Sequence, residues 1–170
     1  VSNGVMGIFM NIFEDNPKVG GRRFKRYLDI YEEHLGINAK TFPGIDEVIS
    51  AIEGLGINWG IVTNKSKRFA KPLLRKLELL NRTACLVCGD TTNNLKPDPE
   101  PINYALSFLK TKNTKKSFYI GDSKKDVDAA KSAGISSIAC TYGYIYDSTN
   151  PKDWNADFYV NHALEILDVI

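Results

Sequence analysis

An α/β fold with a parallel sheet is what the sequence predicts, and three observations predict it. Beyond about residue 45, short apolar runs alternate with helical patterns, the signature of crossover units in a parallel sheet. The runs that end at Ile61-Val62 and at Phe118-Tyr119-Ile120 lead straight into polar residues, Thr63-Asn64 in one case and Gly121-Asp122-Ser123 in the other. Open α/β sheets bind ligands at that end of their strands. Finally, 170 residues with 43% hydrophobic and 25% charged side chains suit one globular domain, or a small domain with an insert.

The first helical pattern runs from about Val5 to Phe13. A second runs from about Arg22 to Leu35, where Phe24, Tyr27, Leu28, Tyr31 and Leu35 recur at helical spacing between charges. This aromatic stripe is read as a packing face, with a cavity lining as the alternative. Asn38 to Phe42 leads onward, and Pro43-Gly44 turns the chain into a helix carrying Ile45, Val48, Ile49, Ile52 and Leu55. Ile57 to Thr63 reads as a strand and Ser66 to Leu77 as a helix, with Ser66 as N-cap and a kink expected at Pro72. Cys85 to Cys88 is a short strand, Pro99 to Leu109 a helix and Ser117 to Ile120 a strand. Lys124 to Ala133 is a helix closed by Gly134, Ser136 to Thr141 a strand, Phe158 to Val160 a short strand and Ala163 to Val169 a last helix.

Composition excludes several functions. A net charge of +2, from 22 basic and 20 acidic residues, is too balanced for nucleic-acid binding, and the Lys-rich stretch Lys110 to Lys116 reads as a solvated loop. No apolar run approaches the roughly 20 residues that span a bilayer, and no leader-like pattern opens the chain. A cytoplasmic location is therefore the expectation. Cys85 and Cys88 have the spacing of half a zinc site but fall in a strand, where residues three apart point to opposite faces. With Cys140 they are expected to be small buried hydrophobes. His34 and His162 have no partners at ligand spacing and receive no catalytic role.

The chemistry is expected where strands end. Asp122 would stand at a strand tip and Asp126 one helical turn later on the same side, so both carboxylates can face one divalent cation. The plainer alternative is a turn with an N-cap and a solvated first-turn acid. Leu95-Lys96-Pro97-Asp98-Pro99-Glu100-Pro101 opens another helix, its prolines fixing where the Lys96 stem leaves the backbone.

Taken together, Thr-Asn-Lys at 63 to 65, Gly-Asp-Thr at 89 to 91, Lys-Pro-Asp-Pro-Glu-Pro at 96 to 101, Gly-Asp-Ser at 121 to 123 and Tyr-Gly-Tyr at 142 to 144 resemble the haloacid dehalogenase superfamily of phosphatases. They are most similar to its bacterial phosphoglycolate phosphatase branch. The resemblance covers nearly the whole chain. It implies a Rossmann-like three-layer parallel sheet over residues 41 to 170 and part of a helical cap over residues 1 to 40. It also implies Mg²⁺-dependent hydrolysis of a small phosphorylated acid, with 2-phosphoglycolate as the expected substrate. Thr63 and the backbone N–H of Asn64 would hold the phosphate, and Lys96 would offset its charge. Asp122 would ligate Mg²⁺ directly, while Asp126 would act through a coordinated water or by holding its neighbours. Lys65 and Ser123 would support them.

One departure from the pattern is expected to matter. The superfamily's nucleophile is the first Asp of an Asp-x-Asp-Gly-Thr/Val segment on the first strand, and the chain has no such segment. Asp126-Val127-Asp128 lacks the following Gly-Thr and reads as helix surface. The expectation is a fragment whose N-terminal part is missing, with the central first strand absent between the strands ending at Thr63 and Asp122. Those strands would then lack a partner, leaving the chain poorly stable, or they would close on each other. Two alternatives stay open: a non-catalytic phosphate-binding module, and a phosphatase for pyrophosphate, a nucleoside monophosphate or a sugar phosphate.

Overall fold

The computed structural model describes residues 4–12, 20–109, 116–145 and 150–170. Six α-helices are present among them, α1 (Gly4–Ile12), α2 (Arg22–Glu33), α3 (Ile45–Gly54), α4 (Lys67–Lys76), α5 (Glu100–Leu109) and α6 (Lys124–Ser132). The strands are β1 (Gly60–Val62), β2 (Cys85–Val87), β3 (Phe118–Gly121), β4 (Ser136–Cys140) and β5 (Phe158–Val160). Every pairing is parallel, β1 with β2 and then β3 with β4 with β5, as the alternating pattern predicts.

Three expectations change. β1 covers only Gly60–Val62 of the expected Ile57–Thr63, because its ladder with β2 is three residues long. The last helix is a 3₁₀ helix, Ala163–Asp168, and a further 3₁₀ turn at Pro151–Trp154 was not foreseen. Pro72 sits inside α4, which runs unbroken from Lys67 to Lys76. Most of the Lys110 to Lys116 stretch lies outside the described residues, as does Phe13.

The sheet is divided. β1 and β3 do not pair, so the expected closure of those two strands is not what occurs. Alternate residues of a parallel strand direct their backbone groups to opposite edges. Thr63 N–H donates to Val87 O at 2.9 Å, which turns Thr63 and Ile61 toward β2 and Val62 away from it. The Val62 carbonyl thus points where a further strand would pair. Instead it accepts from the Tyr119 hydroxyl and from Lys96 Nζ, each at 3.0 Å. These side chains satisfy an acceptor that the ladder leaves open, in keeping with the cost of an unpaired buried carbonyl.

Packing joins the two halves. Ile138, Cys140 and Val160 on one sheet face meet Val48 of α3 and Ala163 and Ile166 of the 3₁₀ helix. On the other face Val127 and Ala139 cover Trp154. A third cluster, Ile102 of α5 with Ala129 and Ala130 of α6, packs against Val62 and Tyr119, one from each sheet. Burying a side chain such as Ile102 or Ile138 contributes about 1.5–3 kcal/mol.

The aromatic stripe of α2 is mainly a packing face. Phe9 of α1, fully buried, meets Phe24 and Tyr27 at ring-centroid distances of 4.9 and 5.3 Å. Tyr31 stands edge-on to Phe69 of α4 at 5.2 Å. Arg68 ties the same two helices together, donating to Glu32 at 2.9 Å and to Asp29 at 3.2 Å, and Lys76 Nζ donates to the Leu35 carbonyl at 2.6 Å.

The three cysteines are free thiols, with Cys88 and Cys140 buried and Cys85 half-buried. Burial raises the pKa of each, that of Cys140 to about 11, so all three are protonated at neutral pH. No helix among the described residues is long and apolar enough to cross a membrane.

Candidate active site

Thr63, Lys96, Asp122 and Asp126 gather at the C-terminal ends of the parallel strands. Thr63 follows β1 and Asp122 follows β3, and Lys96 joins them from the segment before α5. Its ammonium donates to Val62 O at 3.0 Å beside Thr63, and to Asp126 Oδ1 at 2.7 Å on the helix that Asp122 precedes. A third bond runs to the Tyr119 hydroxyl at 2.7 Å. All three ammonium donors are spent, so in this arrangement Lys96 supplies positive charge and no open N–H.

The Lys96–Asp126 ion pair is enclosed, with each side chain about 10% exposed. Asp126 is held from its other oxygen too, by the Ser123 hydroxyl at 2.6 Å. Ser123 is the N-cap of α6 and Asp126 the third residue of that helix, a short loop that sequence spacing favours. Asp126 and Val127 are buried, which corrects the reading of Asp126-Val127-Asp128 as helix surface. Only Asp128 fits that reading, paired with Lys124 at 2.6 Å. Gly121 makes room for this arrangement, since a Cβ there would stand 2.4 Å from Asp126 Cβ.

Asp122 is half-buried and differently placed. Its Oδ2 accepts from the backbone N–H of Tyr144 at 3.2 Å. That bond comes from the loop after β4, where Gly143 lies so close that a Cβ would stand 2.2 Å from Asp122 Cβ. The Tyr-Gly-Tyr segment therefore braces the carboxylate from behind. Gly143→Ala is expected to displace Asp122 and to weaken divalent-cation binding about 10-fold or more, as loss of a supporting contact does at metal sites. Titration with Mn²⁺ followed by electron paramagnetic resonance checks this, and an unchanged affinity would contradict the bracing role.

Thr63 and Asn64, the residues expected to hold phosphate, directly follow β1. Thr63 Oγ1 accepts from Lys65 N–H at 3.1 Å, which leaves its own proton for a ligand oxygen. The Asn64 amide does something the sequence did not reveal. It donates to Lys96 O at 2.9 Å and accepts from Lys96 N–H at 3.0 Å, a two-way clamp on the backbone from which the lysine stem departs. Asp90 of the Gly-Asp-Thr segment caps α4 by accepting from Lys67 N–H at 2.8 Å, while the Ser66 side chain makes no cap bond.

Tyr119 also went unforeseen. Burial, reinforced by the charges of Asp126 and Asp122, holds its phenol pKa well above the usual range, so it stays a neutral donor to Val62 O. Phe42 reaches the same region, its ring 5.5 Å from the rings of both Tyr142 and Tyr144. His34 and His162 serve locally, with Nδ1 3.3 Å from Leu164 N in one case and 2.9 Å from Ile30 O in the other, respectively for His162 and His34.

The donor set suits Mg²⁺. That ion takes oxygen ligands, keeps several waters, and is held by one or two carboxylates together with substrate phosphate. Asp122 offers one such carboxylate, with one oxygen fixed by Tyr144 N–H and the other without a hydrogen bond among the described residues. No cluster of three His, Cys, Asp or Glu side chains that would cage a metal by protein alone occurs among the described residues.

Comparison with known proteins bears on the family and the fold. Residues 6–140 match the sequence model of the haloacid dehalogenase-like hydrolases. The N-acetylmuramic acid 6-phosphate phosphatase of Pseudomonas aeruginosa is 40% identical over 156 residues, 92% of this chain and 68% of that protein. The phosphoglycolate phosphatase of Xanthomonas campestris pv. campestris is 37% identical over 142 residues, 84% of this chain; the chain spans only 64% of that relative's length. Among solved structures, a predicted phosphoglycolate phosphatase from Haemophilus somnus superposes with a TM-score of 0.79 at 27% identity, covering 86% of this chain and 64% of that one.

Proposed function

The chain belongs to the haloacid dehalogenase-like hydrolase family, and from that premise we propose that it carries the phosphate- and metal-binding part of a Mg²⁺-dependent phosphomonoesterase for a small phosphorylated carboxylic acid. The observation that carries this reading is the Lys96–Asp126 pair, which brings the Thr63 and Asp122 strand ends together around one charged centre.

Each residue has a task in hydrolysis. Thr63 Oγ–H and the Asn64 backbone N–H donate to phosphoryl oxygens, and Lys96, fixed at both its backbone and its ammonium, offsets their charge. Asp122 holds Mg²⁺, which supplies further neutralisation of the phosphoryl group when bound. Asp126 keeps Lys96 in place. The attacking carboxylate, which forms an aspartyl-phosphate, and its acid/base partner belong to residues outside these 170. Helices α1 and α2 are assigned to part of a cap.

Two relatives support the substrate class. N-acetylmuramic acid 6-phosphate and phosphoglycolate differ in size, yet each joins a phosphomonoester to a carboxylate. Both compounds fall within the expected class of small phosphorylated acids, of which 2-phosphoglycolate is one member. The test is phosphate release by the protein expressed from its own complete reading frame. The panel holds both compounds with pyrophosphate, nucleoside monophosphates and sugar phosphates. The expected result is turnover that needs Mg²⁺, stops with EDTA and is fastest for the two acids. Phosphate binding without turnover would assign a binding module instead.

A further inference from the structure

Among the described basic side chains near the strand ends, Lys65 alone combines partial burial with an uncompensated charge. Lys96 is paired with Asp126, and Arg68 with Asp29 and Glu32. Lys65 Nζ donates to the Tyr31 hydroxyl at 2.6 Å and lies 5.0 Å from the centre of that ring, but no carboxylate of the described residues lies within ion-pair distance. Among the described residues one of its three N–H donors finds a partner and two do not. The Tyr31 hydroxyl accepts that bond, so its own proton remains to be given.

Both groups are held before any ligand arrives. The Lys65 backbone is fixed at both ends of its peptide, its N–H on Thr63 Oγ1 at 3.1 Å and its carbonyl accepting from Gly89 N–H at 2.9 Å. Tyr31 is set by its edge contact with Phe69 and by the Arg68 bonds to Asp29 and Glu32 on the same helix. Two donors 2.6 Å apart, one of them cationic, match the two oxygens of a carboxylate. They begin two residues from the hydroxyl assigned to phosphate.

We infer that Lys65 and Tyr31 form the specificity pair that binds the substrate carboxylate while Thr63 binds its phosphate. This rests on the phosphomonoesterase reading above. A carboxylate there neutralises the ammonium, whereas a phosphomonoester of the same size with a hydroxyl in its place leaves it partly desolvated and unpaired, which is the basis of discrimination.

The experiment compares kcat/KM for phosphoglycolate with that for 2-hydroxyethyl phosphate, which has the same ester and no carboxylate, in the protein from its complete reading frame. The wild type is expected to favour the acid, and Lys65→Met to reduce that ratio roughly 10- to 100-fold, the range for charge-assisted hydrogen bonds. Tyr31→Phe should reduce it less, and Lys65→Arg should keep it within about fivefold, because a guanidinium also pairs with carboxylate. A ratio unaltered by Lys65→Met in protein with a native circular dichroism spectrum, or a wild type without preference for the acid, overturns the inference while leaving the phosphatase reading intact. No turnover of any phosphomonoester overturns both.

Discussion

Asp122→Asn is expected to lower kcat/KM for phosphomonoester hydrolysis by about 10²–10³-fold or more, the scale of losing one charge-stabilising group in an active site. The substitution is nearly isosteric, so the crowded space against Gly143 is respected, and the amide oxygen can still accept from Tyr144 N–H. What disappears is the negative charge that Mg²⁺ requires of a hard oxygen ligand. The expected signature is thus a loss of Mn²⁺ affinity by paramagnetic titration with almost no change in thermal midpoint. Retained metal affinity together with retained activity would remove Asp122 from the site.

Lys96→Ala should act on stability and activity together. The ammonium gives up three bonds at once, to Val62 O, Tyr119 and Asp126, and among the described residues the Asp126 carboxylate is left with the Ser123 hydroxyl as its partner inside a nearly closed environment. Removing one member of a buried ion pair costs about 3–5 kcal/mol, because the surviving charge stays desolvated. Urea unfolding of the variant measures that cost. Adding Asp126→Asn to Lys96→Ala should recover part of the stability, since the orphaned charge is gone, and none of the activity. A loss below about 1 kcal/mol for Lys96→Ala would show the pair to be solvated, as surface ion pairs are.

The residues differ in how far the sequence exposed them. Gly121-Asp122-Ser123 could be read directly, because the strand end, the N-cap and the first helical turn are neighbours along the chain and obey local rules. Lys96 was found through its place in a proline-bounded segment, but its partners were not, for Val62 and Asp126 lie 34 and 30 residues away. Tyr119 showed only as one residue of an apolar run, and its bond to Val62 O crosses 57 residues. The Asn64 clamp on Lys96 was hidden for the same reason: an amide side chain announces a turn, not which distant backbone it grips. The shortness of β1 could not be foreseen either, because periodicity reports which faces are apolar and not how many residues find a partner.

The sequence by itself determined the order of helices and strands, the parallel sense of the sheet and the end of it where chemistry collects, since these follow from contacts within a few residues and from the handed geometry of crossover units. Only the tertiary structure decided which charges are spent and which are left over. Lys65 and Lys96 are the same side chain in the same kind of segment, yet one meets a buried carboxylate and the other a tyrosine hydroxyl. That difference arises because a charge is neutralised by whatever the fold brings within a few ångströms of it, and distance along the chain carries no record of that.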